Sequence, residues 1–306
     1  MKAVFYSQYG EPGVLEYGEQ PDPKVGPDTV LIEVKAASVN PVDWKVMAGY
    51  LDGALTAHFP VVPGWDVAGV VIQPGPAVTE FFAGDEVMGY VRMDTVGQGT
   101  FAEKVSAPVR ALARKPANLS WAEAATVPLT GLTALQSLDA LDVGNGDTVL
   151  IHNGAGGVGT FGIQIARSRG ARVIATASTG NHGFLLELGA EPVAYGEGVA
   201  DRVRELAPEG VDAVVDFVGG DDWSASLPLL TTPGRVVSIA DQAAKDHGGR
   251  YVFVRPNPDD LSTLADLIEA GKVKPVLAET YPLERAAEAF KANMEGHTRG
   301  KIAVTV

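Results

Sequence analysis

The stretch "DTVLIHNGAGGVGTFG", residues 147–162, decides the fold, because a short apolar run passes directly into a turn dense in glycine. The spacing G-x-G-x-x-G is met by Gly154, Gly156 and Gly159. In a chain with 36 glycines the string alone says little. Its setting says more: it follows the strand-like "DTVLI" and opens the helix-like "GTFGIQIARSRG", which runs into a second apolar stretch, "ARVIATA" (171–177). That is a βαβ unit of the length a dinucleotide-binding fingerprint requires. Gly154 is read as the residue of the tight turn, Gly156 as the point where backbone approaches a pyrophosphate, and Gly159 as the close contact between helix and strand. Ala155, Gly157 and Val158 complete a loop whose N–H groups and helix dipole favour an anion.

Outward from this unit, apolar runs recur at short intervals: "PVAY" (192–195), "VDAVVDFV" (211–218), "GRVVSIA" (234–240) and "RYVFV" (250–254). Strands this apolar are buried on both faces, and helical stretches separate most of them. The segment is therefore expected to be a doubly wound parallel sheet of about six strands. Before it, up to residue 118, short Val- and Ile-rich runs such as "TVLIEVKAASV" and "DVAGVVIQ" alternate with Gly and Pro, which predicts an irregular, mostly antiparallel β domain. Between the two, "NLSWAEAATVPLTGLTALQSL" opens on an N-cap at Asn118 or Ser120 and is interrupted near Pro128. Two further helices and a closing strand, "KIAVTV", are expected to pack back on the first part. The fold class is α/β, divided as 1–118, 119–256 and 257–306.

The charge of −14 and the scatter of basic residues disfavour nucleic acid and anionic membranes as partners. No apolar run is long enough to span a bilayer, and the start lacks an apolar signal region, so a cytoplasmic location is expected. The absence of cysteine excludes disulfides, thiolate nucleophiles and Cys-ligated metals.

An NAD site commonly ends its second strand with an acid about 20 residues after the loop, to bind the ribose 2′-OH. Here Ala177 is followed by Ser178, Thr179, Gly180, Asn181 and His182. No carboxylate stands there to repel a 2′-phosphate, and Ser178, Asn181 and His182 offer donors, so NADP(H) is the expected cofactor. Arg172 begins the strand and lies at the wrong end to serve. The carboxyl ends of the fourth and fifth strands, Phe217, Val218 and Gly219 with Ser238, Ile239 and Ala240, are where a ligand on such a sheet lies.

In order along the chain, "MKAVFYSQYGEP", "ASVNPVDWKVMAGY", "FPVVPGWDVAGVV", "GDEVMGY", "TFAEKV", "AATVPLTGLTALQSL", "VLIHNGAGGVG", "LLELGAEPVAY", "VDAVVDFVGG", "GRVVSIA" and "TRGKIAVTV" resemble the medium-chain dehydrogenase/reductase superfamily, and within it the zinc-lacking quinone oxidoreductases. The resemblance implies a GroES-like catalytic domain made from both chain ends, a Rossmann domain inserted between them, and an active site in the cleft. Zinc-containing relatives use a cysteine where Asn40 stands and a Gly-His-Glu motif where Gly64, Trp65 and Asp66 stand. The histidines His58, His152, His182, His247 and His297 show no metal-ligand spacing, so no metal is expected.

The resemblance also implies that Pro41, Val42 and Asp43 lie beside the nicotinamide and its ribose, with Asn40 and Lys45 on the pocket wall. Asp43 is read equally well as the N-cap of a helix in "VDWKVMAGY". Tyr50 and Tyr90 are either hydrogen-bond donors to a substrate or aromatic walls. Trp65 narrows the site, and Asp66, if buried, needs donors or a cation. Thr130 and Thr133 are placed near the cofactor or in helix packing, and Tyr195 against the adenosine. Arg299 and Lys301 belong either near the cofactor or to a solvated basic turn. The catalytic set is thus Asn40, Asp43, Lys45 and Tyr50. Without a Lewis acid, the accessible chemistry is hydride transfer from NADPH to a quinone or an α,β-unsaturated carbonyl. The rivals are an enone or enoyl-thioester reductase inactive on quinones, and an NADPH-binding structural or sensory protein without turnover. An apolar edge strand at "RYVFV" predicts a homodimer.

Overall fold

In the computed structural model, which describes residues 1–296 and 298–306, the run Thr148–His152 is a central strand of a six-stranded, wholly parallel sheet. The strand order is Glu191–Ala194, Arg172–Ala177, Thr148–His152, Ala213–Asp216, Val236–Ser238, Arg250–Tyr251. The order reverses at Thr148–His152, so the switch point of the doubly wound sheet falls at the strand that feeds the glycine loop. Leu150, Ile174, Val214 and Val236 are buried in one cluster with Val203 and Trp223, which accounts for β-branched residues along whole strands instead of alternation. The last strand is shorter than "RYVFV" suggests: it spans Arg250–Tyr251, Val252 N–H donates to Ser238 O at 3.0 Å, and Pro256, which has no N–H, follows soon after.

The chain forms two compact units: Met1–Leu129 with Arg255–Glu269 and Pro275–Val306, and Thr130–Val254 with Ala270–Lys274. The first contains a seven-stranded sheet in the order Leu277–Pro282, Lys301–Thr305, Thr29–Val39, Asp66–Pro74, Glu86–Tyr90, Leu112–Arg114, with Lys104–Pro108 also pairing with Thr29–Val39. Lys301–Thr305 runs antiparallel to Thr29–Val39, with Ile302 opposite Val39 and Ala303 opposite Ser38. The strand Leu277–Pro282 has no counterpart in the sequence reading, because its residues Ala278, Glu279 and Thr280 are exposed and carry no apolar pattern.

The first unit extends past residue 118. Ser120 caps the helix Trp121–Ala125 through a capping box with Glu123, and Ala124 and Ala125 are buried against Ala36 and Ala68. Asn118, the other candidate cap, instead donates to Ile268 O at 3.1 Å. Residues 270–274 belong to the second unit because the Gln164 side-chain amide brackets Lys274, donating to its O at 3.0 Å and accepting from its N–H at 2.9 Å.

Candidate active site

At the glycine loop the turn is made by Asn153, which takes the left-handed conformation (φ 62°). The expectation that Gly154 supplies this freedom is corrected: Gly154 is needed for space, since a Cβ there would lie 2.8 Å from that of Ala175. A Cβ on Gly156 would meet the Asn153 amide at 2.8 Å, and one on Gly159 would lie 2.1 Å from Asn153 O. Gly156 caps the helix Gly157–Ser168, whose first internal bond runs from Thr160 N to Gly156 O. The N–H groups of Gly157, Val158 and Gly159 therefore have no acceptor within the helix. No acid stands in the first turn, and Ala155 is buried beneath it. This cradle, which side chains would fill, fits a dinucleotide pyrophosphate.

At the carboxyl end of the neighbouring strand, Ser178 is exposed and Asn181 Nδ2 donates to its Oγ at 3.2 Å. His182 opens the next helix, and its Nε2 is buried without a partner. Arg172 is paired with Glu191 through two bonds of 2.6 and 2.8 Å at the strand's other end. Tyr195 is exposed just after Glu191–Ala194. Thr130 and Thr133 are buried on the helix Pro128–Ala140. At the fourth and fifth strand ends Val218 and Ala240 are exposed, Ile239 is half-buried, and Phe217 is buried against Gly162. Ser238 does not present a free hydroxyl: it donates to Asp216 Oδ2 at 2.5 Å and accepts from the N–H groups of Ala240 and Asp241. Its role is to shape this loop.

In the first unit, residues far apart in sequence converge around a buried amine. The Lys301 Nζ donates to Val39 O and to Asn40 Oδ1, each at 2.5 Å. Asn40 Nδ2 donates to Asp66 Oδ2 at 2.8 Å, Ser38 Oγ donates to the same oxygen at 2.7 Å, and Leu129 N–H donates to Asp66 Oδ1 at 2.8 Å. Asn40 is the N-cap of the helix Pro41–Met47, and Asp43, at the third helical position, accepts from Asn40 N–H at 2.7 Å. Asp43 is therefore half of a capping box and not the cap itself. Pro41 and Val42 form the first turn. The reading of Lys301 as part of a solvated turn is also corrected, since only Arg299 is exposed.

Burial pushes the Asp43 carboxyl up to about 7, against its bond from Asn40 N–H. It also raises Asp66, against the pull of Lys301, Asn40 and Ser38. Burial lowers Lys301 to about 8, opposed by the charges of Asp66 and Asp43. Two carboxyls and one amine are neutral together when one carboxyl is protonated. Asp66 accepts three neutral donors, so it carries the charge opposite Lys301. Asp43, whose Oδ1 has no partner, carries the proton.

Asn40 and Asp66, at the places of metal ligands in zinc-containing relatives, do meet, but the positive charge beside them is the Lys301 ammonium. Among the described residues no group of three or more His, Cys, Asp or Glu is placed to hold a metal, and a catalytic zinc does not fit. His152 bonds Ser226, His247 stacks edge-on to Trp223, and His297 lies outside the described residues. Lys45 and Tyr50 are exposed, the Lys45 ammonium lying over the Trp44 ring at 5.6 Å. Tyr90 is buried edge-on to Trp65 at 6.1 Å, and burial drives its phenol strongly upward, which keeps the hydroxyl protonated. Ser38, missed in the sequence, faces Asp66 directly in the strand register. No local pattern marks it.

A parallel sheet with an open phosphate cradle, in one chain with a GroES-like β unit, defines a nicotinamide-dependent oxidoreductase. A family model described as the alcohol dehydrogenase GroES-like domain matches residues 26–117, and one described as zinc-binding dehydrogenase matches 188–304. An Arabidopsis thaliana chloroplast envelope quinone oxidoreductase homolog is 32% identical over 99% of this chain and 98% of its own. An NADPH-dependent alkenal/one oxidoreductase of the same plant is 37% identical over 99% and 79%. The solved quinone oxidoreductase from Coxiella burnetii superposes with a TM-score of 0.88 at 36% identity, covering 100% and 99%. The chain belongs to the medium-chain dehydrogenase/reductase superfamily.

Proposed function

We propose that this protein reduces quinones or α,β-unsaturated carbonyls with NADPH and without a metal. The observation that carries the reading is the Lys301 ammonium beside Asn40 and Asp66, which leaves no donor set for a Lewis acid and favours acceptors already activated by conjugation. NADPH, held at the glycine loop, supplies the hydride. The N–H groups of Gly157, Val158 and Gly159 hold its pyrophosphate, and Ser178, Asn181 and His182 receive the 2′-phosphate. Asp43 keeps at Oδ1 the proton that the reduced product takes up, with Asn40, Asp66 and Lys301 fixing its charge state. A homodimer and a cytoplasmic location belong to the same proposal. Supporting the first is Phe253, 48% exposed beyond the short edge strand Arg250–Tyr251. Supporting the second, no helix among the described residues is long and apolar enough to cross a membrane.

The test is NADPH oxidation with a panel of quinones and enones, before and after a chelator. Turnover insensitive to the chelator supports the reading. Loss of turnover on chelation, or NADPH binding with no turnover on any acceptor, defeats it.

A further inference from the structure

Inside the parallel-sheet unit, five hydrogen bonds form one line that hydride transfer does not use. Asn153 N–H donates to Thr176 Oγ1 at 3.1 Å, and Thr176 Oγ1 lies 3.4 Å from His152 Nδ1. His152 Nε2 lies 3.1 Å from Ser226 Oγ, and Ser226 Oγ donates to Asp222 O at 2.8 Å. Asp222 Oδ2 accepts from Gly196 N–H at 2.9 Å. Thr176, His152 and Ser226 are buried, so the middle of the line is closed to water, while its ends at Asn153 and Gly196 lie nearer the surface.

Counting hydrogens assigns the direction. Ser226 has one hydroxyl hydrogen, and it is used on Asp222 O, so Ser226 accepts from His152 and the imidazole proton sits on Nε2. Nδ1 then has only a lone pair and accepts from Thr176 Oγ1–H, leaving a Thr176 lone pair for Asn153 N–H. Every donor is used once and the neutral imidazole is in a single tautomer. Burial, which lowers the His152 pKa, keeps the ring neutral.

The two ends of this line have a meaning. Asn153 is the left-handed residue of the phosphate loop (φ 62°), a conformation Asn adopts more readily than other side-chain-bearing residues, and its N–H is held by Thr176. Gly196 (φ 89°) follows Tyr195 in the turn assigned to the adenosine. We infer that His152 is a positioning residue that couples the phosphate loop to the Tyr195–Gly196 turn through Thr176 and Ser226, so that the seats for the two halves of NADPH are set together. This rests on the reading of the glycine loop as the NADPH seat. His152 touches neither cofactor nor substrate in this scheme; it acts by preorganisation, which changes affinity and not the chemical step.

The experiment measures NADPH dissociation constants, kcat, and amide hydrogen exchange of the cofactor-free protein for wild type, Thr176→Val, Thr176→Ser, Ser226→Ala and the double variant Thr176→Val/Ser226→Ala. Thr176→Val and Ser226→Ala are each expected to weaken NADPH about tenfold, the effect of one lost buried hydrogen bond, with kcat at saturating cofactor unchanged. Thr176→Ser, which keeps the hydroxyl, is expected to bind like wild type. The double variant is expected to be no weaker than about threefold below Thr176→Val alone, because a line already cut cannot be cut again. Without cofactor, Ser226→Ala is expected to speed exchange at both Asn153 and Gly196. Fully additive losses, or a Ser226→Ala variant of lowered melting temperature with unchanged NADPH affinity, overturn the inference. If Ser226→Ala does not fold, His152→Gln, which keeps a donor at the Nε2 position and no acceptor at Nδ1, is measured in its place with the same expectation. Wild-type protein that does not bind NADPH defeats the proposed function, and the paired exchange at Asn153 and Gly196 then decides the coupling by itself.

Discussion

Replacing Lys301 by Met tests the charge assignment of the buried cluster most directly. Met fills a similar volume, so the change removes the ammonium while leaving Asp66 and Asp43 in place. Asp66 keeps its bonds from Ser38, Asn40 and Leu129 but loses its only nearby cation among the partners that hold it down. The ammonium bonds Val39 O and Asn40 Oδ1 and acts on Asp66 only through its charge, and leaving those buried acceptors unpaired costs about 1 to 3 kcal/mol. The loss depends on pH in a definite direction. Without Lys301 the folded pKa of Asp66 rises further above its unfolded value of about 3.9, so the folded state binds the extra proton. This part of the variant's stability is intact below about pH 4 and is lost as pH rises through the raised folded value. The destabilisation is therefore expected to be larger at pH 8 than at pH 5. Urea unfolding followed by tryptophan fluorescence reads the relevant part of the chain, since Trp44, Trp65 and Trp121 lie in the first unit. The added variant Lys301→Met/Asp66→Asn is expected to recover most of the loss at pH 8. An equal loss at both pH values, or no recovery in the double variant, refutes the assignment.

The turnover rate of wild type is expected to fall as pH rises through about 7, the value to which burial pushes Asp43, because the protonated form is the active one. Asp43→Asn is expected to lower kcat at least a hundredfold and flatten that profile while NADPH affinity stays unchanged. Gly159→Ala is expected to weaken NADPH at least tenfold, since its Cβ would lie 2.1 Å from a backbone oxygen, whereas Gly144→Ala, with nothing within 4 Å and away from the loop, serves as a neutral control in the same titration. Ser178→Asp is expected to shift preference from NADPH toward NADH by at least about tenfold, read as the ratio of kcat/KM values, because a carboxylate there repels the 2′-phosphate.

What the sequence shows and what it hides follow from the range of the interactions. The parallel sheet was legible because its strands are buried on both faces, and runs such as "VLI" and "AVV" are the direct consequence. The strand Leu277–Pro282 was not, because a polar edge strand carries no such run. At the loop, the close approach read at Gly159 is present, a Cβ there lying 2.1 Å from Asn153 O, since the tight approach of helix and strand is local. The tight turn was read at Gly154, whereas the left-handed residue is Asn153 and Gly154 gives room beside Ala175. In the other unit, Asn40, Asp43, Asp66 and Lys301 were each singled out, but their assembly was invisible, because it requires three strands to be set side by side in register. Lys45 and Tyr50 illustrate the opposite case: the short helix Pro41–Met47 and the turn after it present them outward, while the capping box turns Asp43 in.

The Lys301 contact with Val39 spans 262 residues of chain, and that separation has a kinetic consequence. The second unit is made almost wholly of the continuous segment Thr130–Val254, so its strand pairings, such as Val149 with Ala213, close much shorter loops. The first must wait for a long loop to close, which slows its folding relative to its size. In the interval Asp43 and Asp66 are already near the core with no cation between them, so the incomplete first unit is the species most exposed to proteases and chaperones. Changes that delay the docking of the strand Lys301–Thr305 will then reduce the amount of protein in cells even where they leave the finished fold and its turnover untouched.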